Sequence, residues 1–431
     1  MSYAFPDHLA AQVIEQWTTF DRHGAPAPPL PAEADLRHIL STAFFASQER
    51  EEGRNLRFVL CCAPDYMVLR DGLGESVPVV PISPPRLMSV EAIRALAPAV
   101  SPDNAAILVR CPGGGGCEIA GILHIGSNLA RARTGRSFYY RPAPLALMVD
   151  VPAAGELHVY QGGQKVAALK AGRLEDRIPY STIEFLAISD ILACGEESLR
   201  PRIVQPEHEP GRETSDFQWT ALLNTILCIV NGVRAHGHGG TVLLVAPGSE
   251  RTLPIRAKFG VDEPRSVLSD RFVEFLNTRH VLMEARLHRR RMGEATVPDA
   301  ALAHLQTAAF AAEESLADAA DVVANLTAVD GALVLTSDLR VPGFGAEIVL
   351  DAAVPVTAYH VAGTADRTTT WPAVDSESFG MRHRSALRCV GQAQSTAAFV
   401  VSQDSRVSFF WKQDGRVLLK TNVNTANPNM I

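Results

Sequence analysis

Val329-Asp330-Gly331-Ala332-Leu333-Val334-Leu335-Thr336 sets a carboxylate and a glycine directly before an unbroken apolar run. A short apolar run bounded by turn residues predicts a buried strand, and an Asp-Gly pair at its head predicts the turn that feeds it. Gly331, with no Cβ, would let a ligand approach the backbone closely. Further along, Gly380-Met381-Arg382-His383-Arg384-Ser385-Ala386-Leu387 predicts a helix start, so two guanidiniums join the unpaired N–H groups and positive dipole end of a first turn. Ala397 to Val401 is a second apolar run, ending at Ser402-Gln403-Asp404-Ser405, and Phe409, Phe410 and Trp411 continue into a hairpin turned by Asp414-Gly415. A carboxylate and an arginine pair brought to one sheet edge suit a nucleotide, with phosphate as the group the guanidiniums and the helix start would take.

Working back from this stretch, Leu302, Leu305, Ala309, Ala312 and Leu316 give a helical stripe that begins after Pro298. Trp219, Leu222, Leu223, Ile226, Val230 and Val233 predict a helix over 216–234, with Ser215 and Gln218 as a capping box. Gly237-His238-Gly239-Gly240 ends it and Thr241 to Ala246 follows as a buried strand. Between residues 196 and 215 the pattern lapses into Pro, Glu, Arg and His, which reads as a linker. Before it, after a proline-rich connector at Pro26 to Pro31, strand-like runs at 58–62, 106–109, 119–125, 146–149 and 157–160 alternate with helical patterns. The expected class is α/β: a separate α/β domain over residues 1–195, a linker over 196–215, and a mixed β-sheet flanked by helices over 216–431.

With 431 residues and 47% hydrophobic content, the chain is long enough for two cores. Its formal charge of -7 argues against a dedicated DNA-binding protein. The basic run Arg286, Arg289, Arg290 and Arg291 reads as the solvated end of a helix. Seven cysteines, mostly in apolar runs and without Cys-x-x-Cys spacing, fit a reducing cytoplasm better than a disulfide framework. Cys111-Pro112-Gly113-Gly114-Gly115-Gly116-Cys117 has no second ligand pair nearby in sequence and reads as a hairpin loop rather than a metal clip. His236 and His238 read as exposed residues of a helix-ending loop. The longest apolar stretch, Ala221 to Val233, is interrupted by Asn224, Thr225 and Asn231 and is too short for a bilayer. The expectation is a cytoplasmic protein with no secretory signal and no membrane span.

Asp330-Gly331-Ala332, Gly380-Met381-Arg382-His383-Arg384-Ser385-Ala386 and Val401-Ser402-Gln403-Asp404, in this order, resemble the diadenylate cyclase catalytic domain family. That family carries Asp-Gly-Ala, then Gly-Thr-Arg-His-Arg-Ala-Ala, then a valine-rich strand closed by Ser-Glu-Glu, and the likeness covers residues 217–419. The N-terminal half looks like the probable sensor domain DACNV that precedes such domains. The resemblance implies condensation of two ATP into cyclic di-AMP with loss of two pyrophosphates, between face-to-face catalytic domains of a homo-oligomer. An unidentified ligand or protein would act on the N-terminal domain. It implies Asp330, Arg382, His383 and Arg384 as catalytic residues. Gly331, Ala332, Gly380, Ser385, Ser402 and Gln403 would contact the nucleotide, and Asp330, His383 and Asp404 would hold Mg²⁺ or Mn²⁺. Met381 stands where the family has threonine, and Gln403-Asp404 where it has two glutamates. These departures support an alternative: a catalytically weak nucleotide-binding sensor, or a cyclase with another purine preference.

Overall fold

The structure is a computed structural model that describes residues 3–17, 30–51, 53–63, 77–112, 116–125, 131, 135–136, 146–161, 164–175, 182–204, 212–261, 266–293, 296–349, 356–361, 371–375 and 378–425. Most of the proline-rich connector and residues 205–211 of the expected linker lie outside them. The chain divides into two compact units, residues 1–178 and 179–427, and each is mixed α/β.

In the first unit, helices α1 (Pro6–Gln16), α2 (Glu33–Gln48) and α3 (Val90–Leu96) accompany a small hairpin, β1 (Arg50–Glu51) and β2 (Arg54–Asn55). The strands β3 (Phe58–Cys62), β4 (Val79–Leu87), β5 (Ala105–Arg110), β6 (Glu118–His124), β7 (Leu147–Ala153), β8 (Glu156–Gln161), β9 (Gln164–Lys170) and β10 (Arg173–Glu175) form an eight-stranded sheet. Its order is β10-β9-β8-β7-β3-β5-β6-β4, with β3 and β5 parallel and the other neighbours antiparallel. The five strand-like runs of the sequence are all strands here. Side chains alternate across the pleat: Phe58, Leu60 and Cys62 join Leu36, Ile39 and Leu40 of α2 in one core, whereas Val59 and Cys61 pack with Met148 and Tyr160 on the opposite face. A strand buried on both faces needs a continuous apolar run, and Phe58 to Cys62 supplies one.

In the second unit, helices α4 (Ser189–Leu199), α5 (Arg212–His236), α6 (Val267–Met292), α7 (Asp299–Asn325) and α8 (Met381–Gln392) surround a nine-stranded sheet. Its strands are β11 (Gly240–Val245), β12 (Ile255–Gly260), β13 (Ala332–Thr336), β14 (Gly343–Ile348), β15 (Ala358–His360), β16 (Ala373–Val374), β17 (Thr396–Val401), β18 (Val407–Gln413) and β19 (Arg416–Lys420). The order β12-β14-β13-β11-β17-β18-β19-β15-β16 puts wholly buried β11 and β17 near the centre. On one face α8 lays Ala386, Leu387 and Val390 against Leu243, Val334, Ala398, Val400 and Phe410. On the other, Phe185 meets Phe409 and Phe399 at ring distances of 5.6 and 6.3 Å. Asp414 and Gly415, at φ 50° and 76°, turn the β18–β19 hairpin as an Asp-Gly pair should.

The structure corrects several sequence expectations. The second unit starts at residue 179, not 216, and residues 196–204 belong to it. Their polar groups, which suggest a linker in sequence, are bonded inside this unit: Arg202 Nη1 donates to Ser269 Oγ at 2.8 Å and the Val204 N–H to Asn277 Oδ1 at 2.8 Å. Ser198 Oγ likewise donates to Asp338 Oδ2 at 2.8 Å, and a Cβ on Gly195 would meet the Ser337 carbonyl oxygen at 2.3 Å. Helix α5 begins at Arg212, so Ser215 lies within it instead of capping it. The buried amide of Asn231, a break in the apolar stretch, donates to the Thr425 carbonyl at 2.8 Å. Among the described residues no helix is long and apolar enough to cross a membrane. Cys111 and Cys117, read as loop thiols, are disulfide-bonded, because the β5–β6 register carries them opposite one another just beyond Arg110 and Glu118.

Candidate functional site

Three neighbouring strands bring the sequence motifs to one edge of the second sheet. β11 pairs parallel with β13, Thr241 opposite Ala332, and antiparallel with β17, Gly240 opposite Val401. Asp330, Gly239 and Ser402 therefore leave the sheet on the same side, spread over two strand spacings of about 5 Å each. The N-terminus of α8 comes to the same edge: Arg382 Nη1 donates to the His238 carbonyl at 3.3 Å, and that guanidinium lies 2.9 Å from where a Cβ on Gly239 would stand. His238 thus serves through its backbone, and its exposed ring matches the expectation. Gly380 is the N-cap of α8, and the Arg384 N–H closes the first turn on the Gly380 carbonyl at 3.1 Å. The N–H groups of the turn before it face outward from the helix ladder, as at any helix start.

Asp330 is open to solvent, its side chain 96% exposed, with Lys258 Nζ 3.8 Å from Oδ2. The same ammonium donates to the Asp330 backbone carbonyl at 2.8 Å, so Lys258 of β12 clamps the turn that presents the carboxylate. Sequence reasoning missed Lys258. It stands alone on an edge strand far upstream, and only the β12-β14-β13 pairing brings it to Asp330.

Gly331 has a packing reason to be glycine. It sits at φ 129°, and a Cβ there would meet the Gly345 carbonyl carbon at 2.3 Å, so what approaches its backbone is β14 of the same sheet. Ala332 is buried in the α8-side core and contributes packing.

His383 is held by its neighbours. Its Nε2 is 3.0 Å from Ser408 Oγ, and its ring stacks on Phe379 at 5.8 Å and meets Phe410 edge-on at 5.9 Å. Burial moves its pKa below the ordinary imidazole range, against the pull of Asp404. Asp404 belongs to the β17–β18 turn: it accepts from Ser402 Oγ and pairs with Arg406 Nε at 3.2 Å. Its pKa is lowered, first by the Ser402 hydrogen bond and then by Arg406. Asp330, His383 and Asp404 are not gathered into a ligand cluster among the described residues. Gln403 is exposed at the turn tip, Ser385 and Arg384 are half-buried on α8, and Met381 is 76% exposed at the first helical position. The edge can therefore offer an open carboxylate with a lysine behind it, the Arg382 guanidinium, a helix N-terminus and a polar turn. By their chemistry such donors suit a polyanion, and an open carboxylate suits a hydroxyl group or a hard cation.

No curated protein matches the chain. A solved structure described as the hypothetical membrane spanning protein from Bacillus cereus aligns over 55% of this chain and 93% of its own, at 12% identity and a TM-score of 0.21. Residues 25–124 match the family model described as "Probable sensor domain DACNV", a span of the first unit running from before α2 to the end of β6.

Proposed function

We propose that the second unit is a diadenylate cyclase whose output is set by the DACNV sensor domain. Two ATP molecules, one on each of two facing protomers, would each use the 3′-hydroxyl to attack the α-phosphorus of the other. Two phosphodiester bonds form, two pyrophosphates leave, and cyclic di-AMP results. The observation that carries this reading is the convergence of Asp330, Arg382 and Ser402, from three separated segments, on one sheet edge through the β13-β11-β17 register. The DACNV match supports it, since that family is associated with diadenylate cyclases.

Arg382 and Arg384 would hold the triphosphate and neutralise charge on the departing pyrophosphate, helped by the helix start. Asp330 would accept the proton of the 3′-hydroxyl, with Lys258 fixing the backbone that carries it. Ser402 and Ser385 would donate to phosphate oxygens, and Gln403 would line the same edge. Mg²⁺ or Mn²⁺, whose hard character fits the exposed Asp330 oxygens, would supply charge neutralisation at the phosphates. Here Asp404 and His383 would shape the site, Asp404 by ordering the Ser402 turn and His383 by seating α8 on Ser408. The place of action would be the cytoplasm, where ATP is available.

Incubation of the full chain with ATP and Mn²⁺ followed by mass spectrometry is the test. Cyclic di-AMP is expected; recovery of ATP alone, across metals and pH, would remove the enzyme reading. The exposed thioether of Met381, where the family has a phosphate-binding hydroxyl, favours a second reading as a nucleotide sensor with little turnover. Saturable ATP binding without product would select it.

A further inference from the structure

The cysteine loop discounted in the sequence gains a third ligand in the fold. Cys111 and Cys117 extend the β5–β6 ladder by one position, with Cα atoms 4.3 Å apart, and their disulfide closes the glycine-rich loop between them. Asp35, from the first turn of α2, presents a carboxylate oxygen to the pair: this oxygen and the two sulfurs all lie within 4.8 Å of one another. Cys117 is fully buried, while Asp35 and Cys111 are half-buried, so the trio has a floor in the core and an opening to solvent.

We propose that Asp35, Cys111 and Cys117 form a thiol-gated binding site for a thiophilic divalent cation of the zinc class inside the DACNV sensor domain. As the disulfide, both sulfurs are spent on each other and the site is closed. A dithiol reductant opens it by exchange: the reductant is oxidised to its own disulfide, the Cys111–Cys117 bond takes up two electrons, and two protons appear on the sulfurs as thiols. Binding the cation then releases those two protons and gives a two-sulfur, one-oxygen set, with a fourth tetrahedral position for water. A carboxylate beside two cysteines makes sense on this account. Beside the disulfide it faces neutral sulfur, and beside two thiolates it would repel, but with a divalent cation it completes the charge balance. Two sulfurs select zinc-class ions over Mg²⁺ and Ca²⁺, which prefer all-oxygen shells.

The experiment uses the full chain, oxidised or treated with a dithiol and desalted under argon, then titrated with Zn²⁺ against a chromophoric chelator and weighed by native mass spectrometry. One Zn²⁺ per reduced chain and none per oxidised chain is expected. Cys111→Ser and Cys117→Ser should each abolish that stoichiometric binding, Asp35→Asn should weaken it at least tenfold, and Cys194→Ser, in the second unit, should leave it unchanged. Circular dichroism checks that each variant is folded. If the reduced chain takes no zinc, or if folded Cys111→Ser and Cys117→Ser chains still take one equivalent, the assignment is overturned. A reduced chain whose Asp35→Asn variant binds as tightly as the parent would remove Asp35 from the set.

Discussion

At the residue scale the candidate site separates groups that face solvent from groups that hold the backbone. Among the described residues Lys258 is the ion-pair partner of the 96% exposed Asp330 carboxylate, so under the proposed reaction Asp330→Asn should leave the melting temperature unchanged while lowering product formation at least a hundredfold, as loss of a proton acceptor would. Product chromatography beside a melting curve reads both, and unchanged turnover would take the chemistry away from this edge. His383 belongs to the second group. Its folded pKa is depressed by burial, so it stays neutral below the pH at which the unfolded chain protonates its histidines. Stability is therefore full above the ordinary imidazole pKa of about 6.5 and declines as pH falls through it, because the unfolded state then binds more protons. His280, depressed by the same cause in α6, adds to the decline in the same direction. Melting curves between pH 8 and about pH 5 should show this slope. His383→Gln should flatten it, and an equal slope in that variant would mean that His383 is not held neutral.

At the element scale, legibility followed the density of apolar residues. Strands such as Phe58–Cys62 and Thr396–Val401 are buried on both faces, and a continuous apolar run has few other readings. The first part of α6 escaped because Leu268, Phe272, Phe275 and Leu276, all buried, are interleaved with Asp270, Arg271, Glu274 and Arg279. Only its charged end at Arg289, Arg290 and Arg291 was visible, and there Arg289 pairs with Asp299 across the turn into α7. The linker expectation failed for a related reason: the run from Glu196 to Val204 is polar in composition but bonded to partners far along the chain. The α5–α7 crossing offers a test of how tightly these helices are set. A Cβ on Gly232 would lie 2.6 Å from the Ala324 Cβ, closer than two carbons can approach. Gly232→Val must spread the crossing, and overpacking costs about 1–3 kcal/mol even where helix propensity gains a little. A urea midpoint at or above that of the parent would mean that the crossing can open freely.

At the scale of the whole molecule, each unit's fold class was legible because two apolar patterns with separate turn punctuation need two cores. The site was legible only as three motifs in order, since sequence says nothing of a neighbour such as Lys258 that arrives through an edge strand. What one chain cannot supply is the second nucleotide. Under the proposed reaction an isolated protomer holds one ATP, whose 3′-hydroxyl finds no second α-phosphorus, so product requires two copies with like faces opposed. Specific activity should then fall on dilution, while ATP binding per chain stays constant. Mixing the parent with an equal amount of Asp330→Asn should lower the cyclic product per parent chain to about half, because random pairing puts half of the parent chains opposite a variant. In such a mixed pair one hydroxyl is activated and the other is not. One phosphodiester bond forms without its counterpart, and a linear dinucleotide that keeps one triphosphate should appear in the mass spectrum. Cyclic product proportional to parent chains alone, with no linear species, would show that a single protomer completes both bonds and that the facing arrangement is wrong.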